Sequence, residues 1–120
     1  MNNALSFQII IALNNENTPP YFIHSLKTLY LNVNESLTYL IPPYLDREKD
    51  IVKMTIDFKK VNFAHLDYNI LHFWPTKGGH FKIGITLTDN NSNGFLSSVY
   101  SLKIIVRTPL YNFTHDSQNS

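Results

Sequence analysis

The sequence contains no cysteine, few charged residues and no long apolar run. The absence of cysteine from all 120 residues excludes disulfide scaffolds, thiol nucleophiles and thiolate metal sites. Charged residues make up 16% of the chain and the net charge is +1, so the charge balance does not favour a nucleic acid or an anionic membrane as a partner. No run approaches the roughly 20 apolar residues that span a bilayer, so we do not expect this segment to insert into a membrane.

The sequence is rich in alternation of the kind that β-strands require. From Phe81 to Leu87, every second residue is apolar, and the pattern resumes from Tyr100 to Val106. Residues 90–94, rich in Asn, lie between the two runs. Because side chains alternate between the faces of a strand, this arrangement predicts an antiparallel hairpin with one buried face and one exposed face.

Shorter runs of the same kind precede the hairpin. They predict strands at 21–23, 29–33, 37–41, 51–58 and 70–74, whereas residues 59–66 are interpreted as a looser crossing. No helical period is sustained anywhere. Counting from Phe22, about seven strands follow at the short spacing that is typical of an all-β, immunoglobulin-like Greek-key β-sandwich.

Several short motifs follow one another in a defined order between residues 17 and 108. They are Pro19-Pro20-Tyr21-Phe22, Leu40-Ile41-Pro42, Asp46-Arg47-Glu48-Lys49-Asp50, Phe73-Trp74-Pro75-Thr76, Gly79-His80-Phe81-Lys82-Ile83 and Thr86-Leu87-Thr88-Asp89. This order resembles a dystroglycan-type cadherin-like repeat, related to cadherin and to the immunoglobulin-like repeats of large surface proteins. The resemblance implies a cadherin-like sandwich in a tandem array, at the cell surface or outside the cell, within a larger membrane protein. It also implies a role in adhesion or as a spacer, with neighbouring repeats of the same chain, another surface protein or a glycan as partners.

The array also suggests how the chain is divided. Residues 1–16 resemble the last strand and linker of a preceding repeat, because the apolar run from Phe7 to Leu13 precedes a polar linker that ends in two prolines. The alternative is that this run is an extra edge strand of the same domain. Residues 17–108 form the sandwich, and residues 109–120 are expected to be a disordered tail.

Calcium is the cofactor that the resemblance implies. The matching positions are Glu35 after the first strand, the acids of the charged loop and the acid that ends the sixth strand; the full set is Glu35, Asp46, Glu48, Asp50 and Asp89. Carboxylates suit Ca²⁺, which takes six to eight oxygen ligands. The chain departs from the family, however, because its acidic motif lies one loop early and its linker has a single acid. The alternative is an exposed loop in which charges of opposite sign solvate one another.

No catalytic constellation is present, so we do not expect an enzyme. His65, His72 and His80 share no spacing rule, and a scatter over the surface is expected for them. Trp74, the single Trp, is expected in the core, as in immunoglobulin-like domains. Two other functions are considered: a carbohydrate-binding sandwich in which Trp74, Tyr68 and His72 line a shallow face, and an accessory domain of a larger surface enzyme.

Overall fold

The computed structural model describes residues 17–109, so the predictions made for residues 1–16 and for the tail from residue 110 lie outside the described residues. Within the described range the chain forms nine strands and no helix. The strands are β1 (Tyr21–Phe22), β2 (Leu29–Asn32), β3 (Leu37–Leu40), β4 (Tyr44–Leu45), β5 (Val52–Asp57), β6 (Ala64–Asp67), β7 (Ile70–Phe73), β8 (Gly79–Asp89) and β9 (Ser97–Arg107). Seven of them have four residues or more, so the predicted all-β class and strand number are confirmed. The described residues accordingly include no helix that could cross a membrane.

Two sheets form the sandwich. The four-stranded sheet has the order β2-β9-β8-β5, the three-stranded sheet has the order β3-β7-β6, and β1 pairs with β4 in a short ladder beside them. The predicted hairpin is β8 and β9, paired antiparallel from Gly79 opposite Val106 to Thr88 opposite Ser97. The β2–β9 pair is parallel, and strand periodicity alone did not predict it. The chain crosses from one sheet to the other between β2 and β3, between β3 and β5, between β5 and β6 and between β7 and β8, whereas β6–β7 and β8–β9 are hairpins within one sheet. Such crossings are typical of a Greek-key sandwich.

The core lies between the two sheets and is made by the alternating residues of the long strands. Ile83, Ile85 and Leu87 of β8 have no exposed surface, and neither do Leu102 and Ile104 of β9. The remaining buried apolar residues are Phe22, Leu29, Leu31, Ile41, Val61, Phe63, Leu71, Phe73 and Val106. The alternation read from the sequence therefore identifies the buried face of the hairpin correctly.

The two ends of the sandwich differ in chemistry. At one end β5 begins and β8 ends, and the loops at 46–51 and 90–96 meet there: the Asn91 side-chain N–H donates to the Asp50 carboxylate at 2.8 Å. We call this end the acidic pole. At the opposite pole β2 and β9 both end, and the backbone N–H of Asn34 donates to the carbonyl of Pro75 at 2.8 Å.

Two expectations about the three-stranded sheet are wrong. Residues 64–67 form a regular strand, β6, which pairs along its whole length with β7, rather than a loose crossing. Trp74 is not in the core, because 44% of its surface is exposed. The reason is the period of β7: Leu71 and Phe73 point inward, so His72 and then Trp74 point to the outer face.

Candidate functional site

The charged loop after β4 is folded around the side chain of Asp46. One carboxylate oxygen of Asp46 accepts hydrogen bonds from the backbone N–H groups of Glu48, at 2.8 Å, and Asp50, at 3.3 Å. The backbone N–H of Lys49 donates to the Asp46 carbonyl at 3.0 Å, and Lys49 adopts the left-handed conformation with a φ of 61°. These contacts curl the loop, so the acids at alternate positions face inward.

The loop between β8 and β9 is folded in the same way around Asp89. Asp89 is only 2% exposed, and its Oδ1 accepts from the backbone N–H groups of Leu96, at 2.9 Å, and Asn91, at 3.4 Å. Asn91 in turn donates to Asp50 in the charged loop. Asp89 therefore organises its own loop and brings it against the loop of Asp46.

The segment that enters the domain closes the acidic pole. The backbone N–H and the hydroxyl of Thr18 both donate to the Glu48 carboxylate, at 3.1 and 2.8 Å. The Asn17 side-chain N–H donates to the Gly94 carbonyl at 3.0 Å. The first described residues are thus tied to both loops.

Four of the five acids predicted as calcium ligands converge at this pole. Asp46, Glu48, Asp50 and Asp89 each present one carboxylate oxygen, and these oxygens all lie within 4.8 Å of one another. The Oδ2 atoms of Asp46 and Asp89 are buried and accept no hydrogen bond, and the Oδ1 of Asn17 is in the same condition. Among residues 17–109 none of these carboxylates pairs with a Lys or Arg, which disfavours the alternative of a mutually solvated charged loop.

The pKa values of the acids reflect a balance between burial and hydrogen bonding. Burial raises the pKa of Asp46 above its ordinary value, and the backbone N–H groups of Asp50 and Glu48 only partly oppose it. Burial also acts to raise the pKa of Asp89, but the N–H groups of Leu96 and Asn91 outweigh it and the net pKa is lowered. For Glu48, partial burial is likewise outweighed by the two Thr18 donors, and the pKa is lowered. The cluster therefore combines stabilised carboxylates with one whose charge is poorly compensated.

Glu35, the fifth predicted ligand, lies away from the other four acids. Glu35 follows β2 at the opposite pole, where its carboxylate accepts from the Asn32 side chain at 2.9 Å. The prediction that Glu35 belongs to one calcium site with the other four acids is wrong, because β2 runs away from the acidic pole and Glu35 comes after its end.

The site also includes polar residues that the sequence did not single out as ligands or supports. Thr18 and Asn91 hold Glu48 and Asp50 in position, over separations of 30 and 41 residues. Asn17, next to Thr18, contributes a buried side-chain oxygen without a hydrogen-bond partner. No local signal marks these residues, since their roles arise from chain segments that meet only in the folded sandwich.

A second feature lies on the outer face of the three-stranded sheet. The rings of His65 on β6 and His72 on β7, which are directly opposite in register, stack with centroids 4.9 Å apart and planes inclined by 15°. The Trp74 ring lies 5.4 Å from that of His65. The expected scatter of histidines is therefore wrong for this pair, although His80 lies on β8 in the other sheet. Tyr68, 92% exposed, lies at the other end of β7 and does not complete the predicted aromatic face.

No protein-family model and no curated protein matches the sequence. Solved structures do share the fold. An endo-fucoidan hydrolase of glycoside hydrolase family 107 matches with a TM-score of 0.62 at 16% identity, over 78% of this chain and 14% of that one. A nucleoside hydrolase-related protein from Saccharophagus degradans, associated with carbohydrate metabolism, matches with a TM-score of 0.57 at 17% identity, over 76% and 26% of the two chains.

A putative α-galactosidase from Bacteroides fragilis is a third structural neighbour, with a TM-score of 0.52 at 17% identity, over 76% of this chain and 18% of that one. The chain thus spans about a quarter or less of the length of each of these proteins. At such identities the likeness extends to the fold. This chain is similar to a β-sandwich portion of larger proteins.

Proposed function

We propose that this chain is a non-catalytic accessory β-sandwich of a larger extracellular protein, and that its acidic pole binds Ca²⁺. The observation that carries the calcium proposal is the pair of buried oxygens, the Oδ2 atoms of Asp46 and Asp89, that accept no hydrogen bond. A buried carboxylate oxygen without a partner is costly, and a bound cation removes that cost.

The geometry suits Ca²⁺ better than Mg²⁺. Calcium binds oxygen at 2.3–2.6 Å, so ligands on opposite sides of the ion are about 4.6–5.2 Å apart, whereas those around Mg²⁺ are about 4.2 Å apart at most. The four carboxylate oxygens all lie within 4.8 Å of one another, a spread that a calcium-sized ion can bridge. Four carboxylates leave two or more of the six to eight positions of Ca²⁺ for other oxygens, such as water.

The accessory role is supported by the larger proteins whose structures contain a similar sandwich. The named neighbours are a fucoidan hydrolase, a putative α-galactosidase and a protein associated with carbohydrate metabolism, and in each the matching sandwich is a small part of the chain. A larger carbohydrate-active protein is the context that we propose. The resemblance to cadherin-like repeats supports the same non-enzymatic character and an extracellular location, with calcium stiffening a spacer. Adhesion is the other role it implies, but no described feature favours an adhesive partner.

Thermal unfolding of the full chain tests the calcium proposal. Because a ligand that binds the folded state stabilises it, 1–2 mM Ca²⁺, estimated from the affinity range of extracellular modules, is expected to raise the melting temperature above that in chelator, and equimolar Mg²⁺ to raise it less. Asp89→Asn keeps an oxygen for the N–H groups of Leu96 and Asn91 but is expected to abolish the calcium shift.

Glu35→Gln is the matched control, since it removes a charge at the opposite pole and is expected to leave the calcium shift unchanged. A melting temperature of the unmodified chain that does not respond to millimolar calcium contradicts the proposal. Equal shifts in the two variants would mean that calcium binds elsewhere.

Carbohydrate binding by the outer face of the three-stranded sheet is a second candidate function. The specific observation is the exposed ring of Trp74, held beside the stacked His65 and His72. An exposed indole flanked by groups that donate and accept hydrogen bonds suits the apolar face and hydroxyl rim of a sugar ring. Since Trp74 is the single Trp, its fluorescence should change as a bound glycan is titrated.

A glycan array followed by that titration tests this candidate. Trp74→Ala should abolish binding, whereas Tyr68→Ala, which removes an exposed aromatic residue at the other end of β7, should not. An array without any bound glycan, or equal loss in the two variants, contradicts a sugar site on this face.

A further inference from the structure

The outer face of the four-stranded sheet carries most of its positive charge in one half. Lys82 of β8 and Lys103 of β9 are exposed on this face, and Lys59 follows the end of β5 beside them. All three lie towards the pole opposite the acids, and we call them the lysine row. Of the described residues that point outward from these four strands, Asp57 is the one acid. The net charge of +1 therefore conceals a domain with one acidic and one basic region.

The register of the hairpin places two of these lysines directly opposite each other. Lys82 and Lys103 are partners in the antiparallel β8–β9 ladder, and like charges at such a position destabilise a sheet. Lys59 closes the row on the β5 side, since its Cε would lie 3.6 Å from a Cβ added at Gly84 of β8. Its ammonium is 3.6 Å from the Asp57 carboxylate, whereas no described acid forms an ion pair with Lys82 or Lys103. The row thus holds positive charge that weakens the sheet rather than stabilising it.

Shallow depressions on both sides of β8 give the row a surface that a ligand can occupy. One lies between β8 and β9 and is lined by His80, Lys82 and Lys103. The other lies between β8 and the turn after β5, where Lys59 and Lys60 face the same two residues of β8. Because His80 and Lys82 line both depressions, the two form one track that crosses the strands. Neighbouring strands are about 4.8 Å apart, so the charges along the track repeat at roughly that spacing.

The chemistry of the track indicates an acidic polysaccharide rather than a nucleic acid. Lys is a compact point charge that acidic groups can approach from many directions, and a polymer of identical acidic sugars repeats its charges regularly. Single-stranded nucleic acids also use aromatic rings on which their bases stack. Tyr30 is the one Tyr, Phe or Trp that points outward from these strands in the described chain, and Arg107 covers its ring at 4.7 Å. The described residues also form no helix that could enter the major groove of a duplex.

We propose that the lysine row binds an acidic polysaccharide, which lies across β5, β8 and β9 with its acidic groups on Lys59, Lys82 and Lys103. The ligand supplies the negative charge that the opposed Lys82–Lys103 pair lacks, so its binding stabilises the folded sheet. This inference rests on the proposed role within a carbohydrate-active protein and names the class of glycan for it. It does not require that calcium binds, because the lysine row and the four carboxylates are at different ends of the sandwich.

Affinity measurements on the full chain in chelator test this inference, with fluorescently labelled dextran sulfate as the probe and neutral dextran as its control. We expect dextran sulfate to bind at low salt and to bind more weakly as salt screens the charges, and neutral dextran not to bind. Lys103→Gln should weaken the binding by about fivefold or more, because it removes a charge from the row. Lys53→Gln is the matched control, since Lys53 lies on the same face but opposite Thr88, about 20 Å along β8 from Lys82, and its loss should change the affinity by less than about twofold.

Thermal unfolding of the same variants separates a binding role from a structural one. Lys103→Gln should keep or raise the melting temperature, since it removes a contact between like charges, whereas a lower melting temperature contradicts the inference. Absence of dextran sulfate binding at low salt, or equal losses in Lys103→Gln and Lys53→Gln, overturns it. A single-stranded oligonucleotide that binds as tightly as dextran sulfate also overturns it, because the row would then recognise charge without regard to the sugar.

The failure of this inference can be distinguished from the failure of the proposed function. A chain whose melting temperature rises with calcium but that does not bind dextran sulfate retains the calcium site and lacks the glycan site. A chain that binds dextran sulfate in chelator but does not respond to calcium supports the lysine row and contradicts the calcium proposal.

Discussion

At the scale of single residues, the acidic pole shows how one residue type acquires different properties. Asp46 and Asp89 are both buried, and both use one oxygen to organise a loop. Burial raises the pKa of Asp46, and the neighbouring carboxylates of Asp50 and Glu48 add to it; at Asp89 the hydrogen-bond donors, Leu96 and Asn91 foremost, outweigh burial and lower the pKa. Asp46 is therefore the residue whose charge most needs a cation.

Asp46→Asn is expected to stabilise the calcium-free protein and to abolish its response to calcium. Asn keeps the oxygen that accepts from Glu48 and Asp50 but carries no charge. Well below the ordinary pKa of 3.8, Asp46 is protonated in both the folded and the unfolded state and costs nothing. As the pH rises, the unfolded chain ionises first, so the original protein loses stability relative to the variant until the pH passes the raised pKa.

Urea denaturation in chelator from pH 4 upward, a window that starts at about the ordinary pKa, measures that difference. A gap between the two proteins that grows with pH agrees with the expectation. A variant that is less stable at neutral pH shows that the second oxygen of Asp46 is satisfied in solution.

The sequence predicted the acids of the pole but not their supports. Asp46, Glu48, Asp50 and Asp89 follow strand ends and carry a recognisable charge, so a pattern of acids in loops identifies them. Glu35 fits the same pattern, but its prediction as a ligand is wrong, because the direction of β2 decides which pole Glu35 reaches. Thr18 and Asn91 act only through contacts between distant segments of the chain, so their residue types alone could not predict their roles.

At the scale of elements, β8 is the best-specified strand of the molecule. Its alternating apolar residues face the core and pair with both β5 and β9. Gly84 lies in the middle of β8, between the inward-facing Ile83 and Ile85, so the outer face of the strand has no side chain at this position. An added Cβ there would lie 3.6 Å from the Lys59 side chain and 3.7 Å from that of Asp57, which is ordinary van der Waals contact.

Gly84→Ala is therefore expected to stabilise the domain by about 0.5–1 kcal/mol, because Gly loses more conformational freedom on folding than Ala does. Gly94→Ala is the contrasting variant: its φ of 126° disfavours any side chain, so it should destabilise the protein although the space around it is open. Chemical denaturation of both variants measures the two effects. A destabilised Gly84→Ala would indicate that the outer face of the sheet cannot accept the methyl group.

The same elements show where periodicity ceases to be informative. The long runs of β8 and β9 predicted a hairpin because burial on one face imposes period two. β6 was missed because two lysines and an Asn precede it and its alternation covers only four residues. Trp74 was misassigned because residue size favoured the core, whereas the register of β7 directs it outward.

At the scale of the whole molecule, one core joins the two sheets, and the acidic pole joins three segments that are distant in sequence. Phe73 is 1% exposed and packs near Phe63 between the sheets. The fold should consequently unfold as one unit, as small single domains usually do.

Phe73→Ala is expected to cost about 3–5 kcal/mol, because it removes a large buried ring and leaves a cavity. Val99→Ala, at a side chain that is 74% exposed, should change the free energy of unfolding little. Denaturation followed by both fluorescence and circular dichroism measures the losses and compares two probes. Transitions that separate between the probes would contradict a single cooperative unit.

The parallel pairing of β2 with β9 has a consequence for the mechanics of the domain. The chain enters at the acidic pole and leaves at the other, so tension along a longer protein pulls β2 and β9 in opposite directions along their common axis. The ladder from Leu29 opposite Ile104 to Asn32 opposite Arg107 is then loaded in shear, and its hydrogen bonds must break together rather than one after another. We therefore expect the sandwich, if it is pulled from its two ends, to resist unfolding mainly through this ladder.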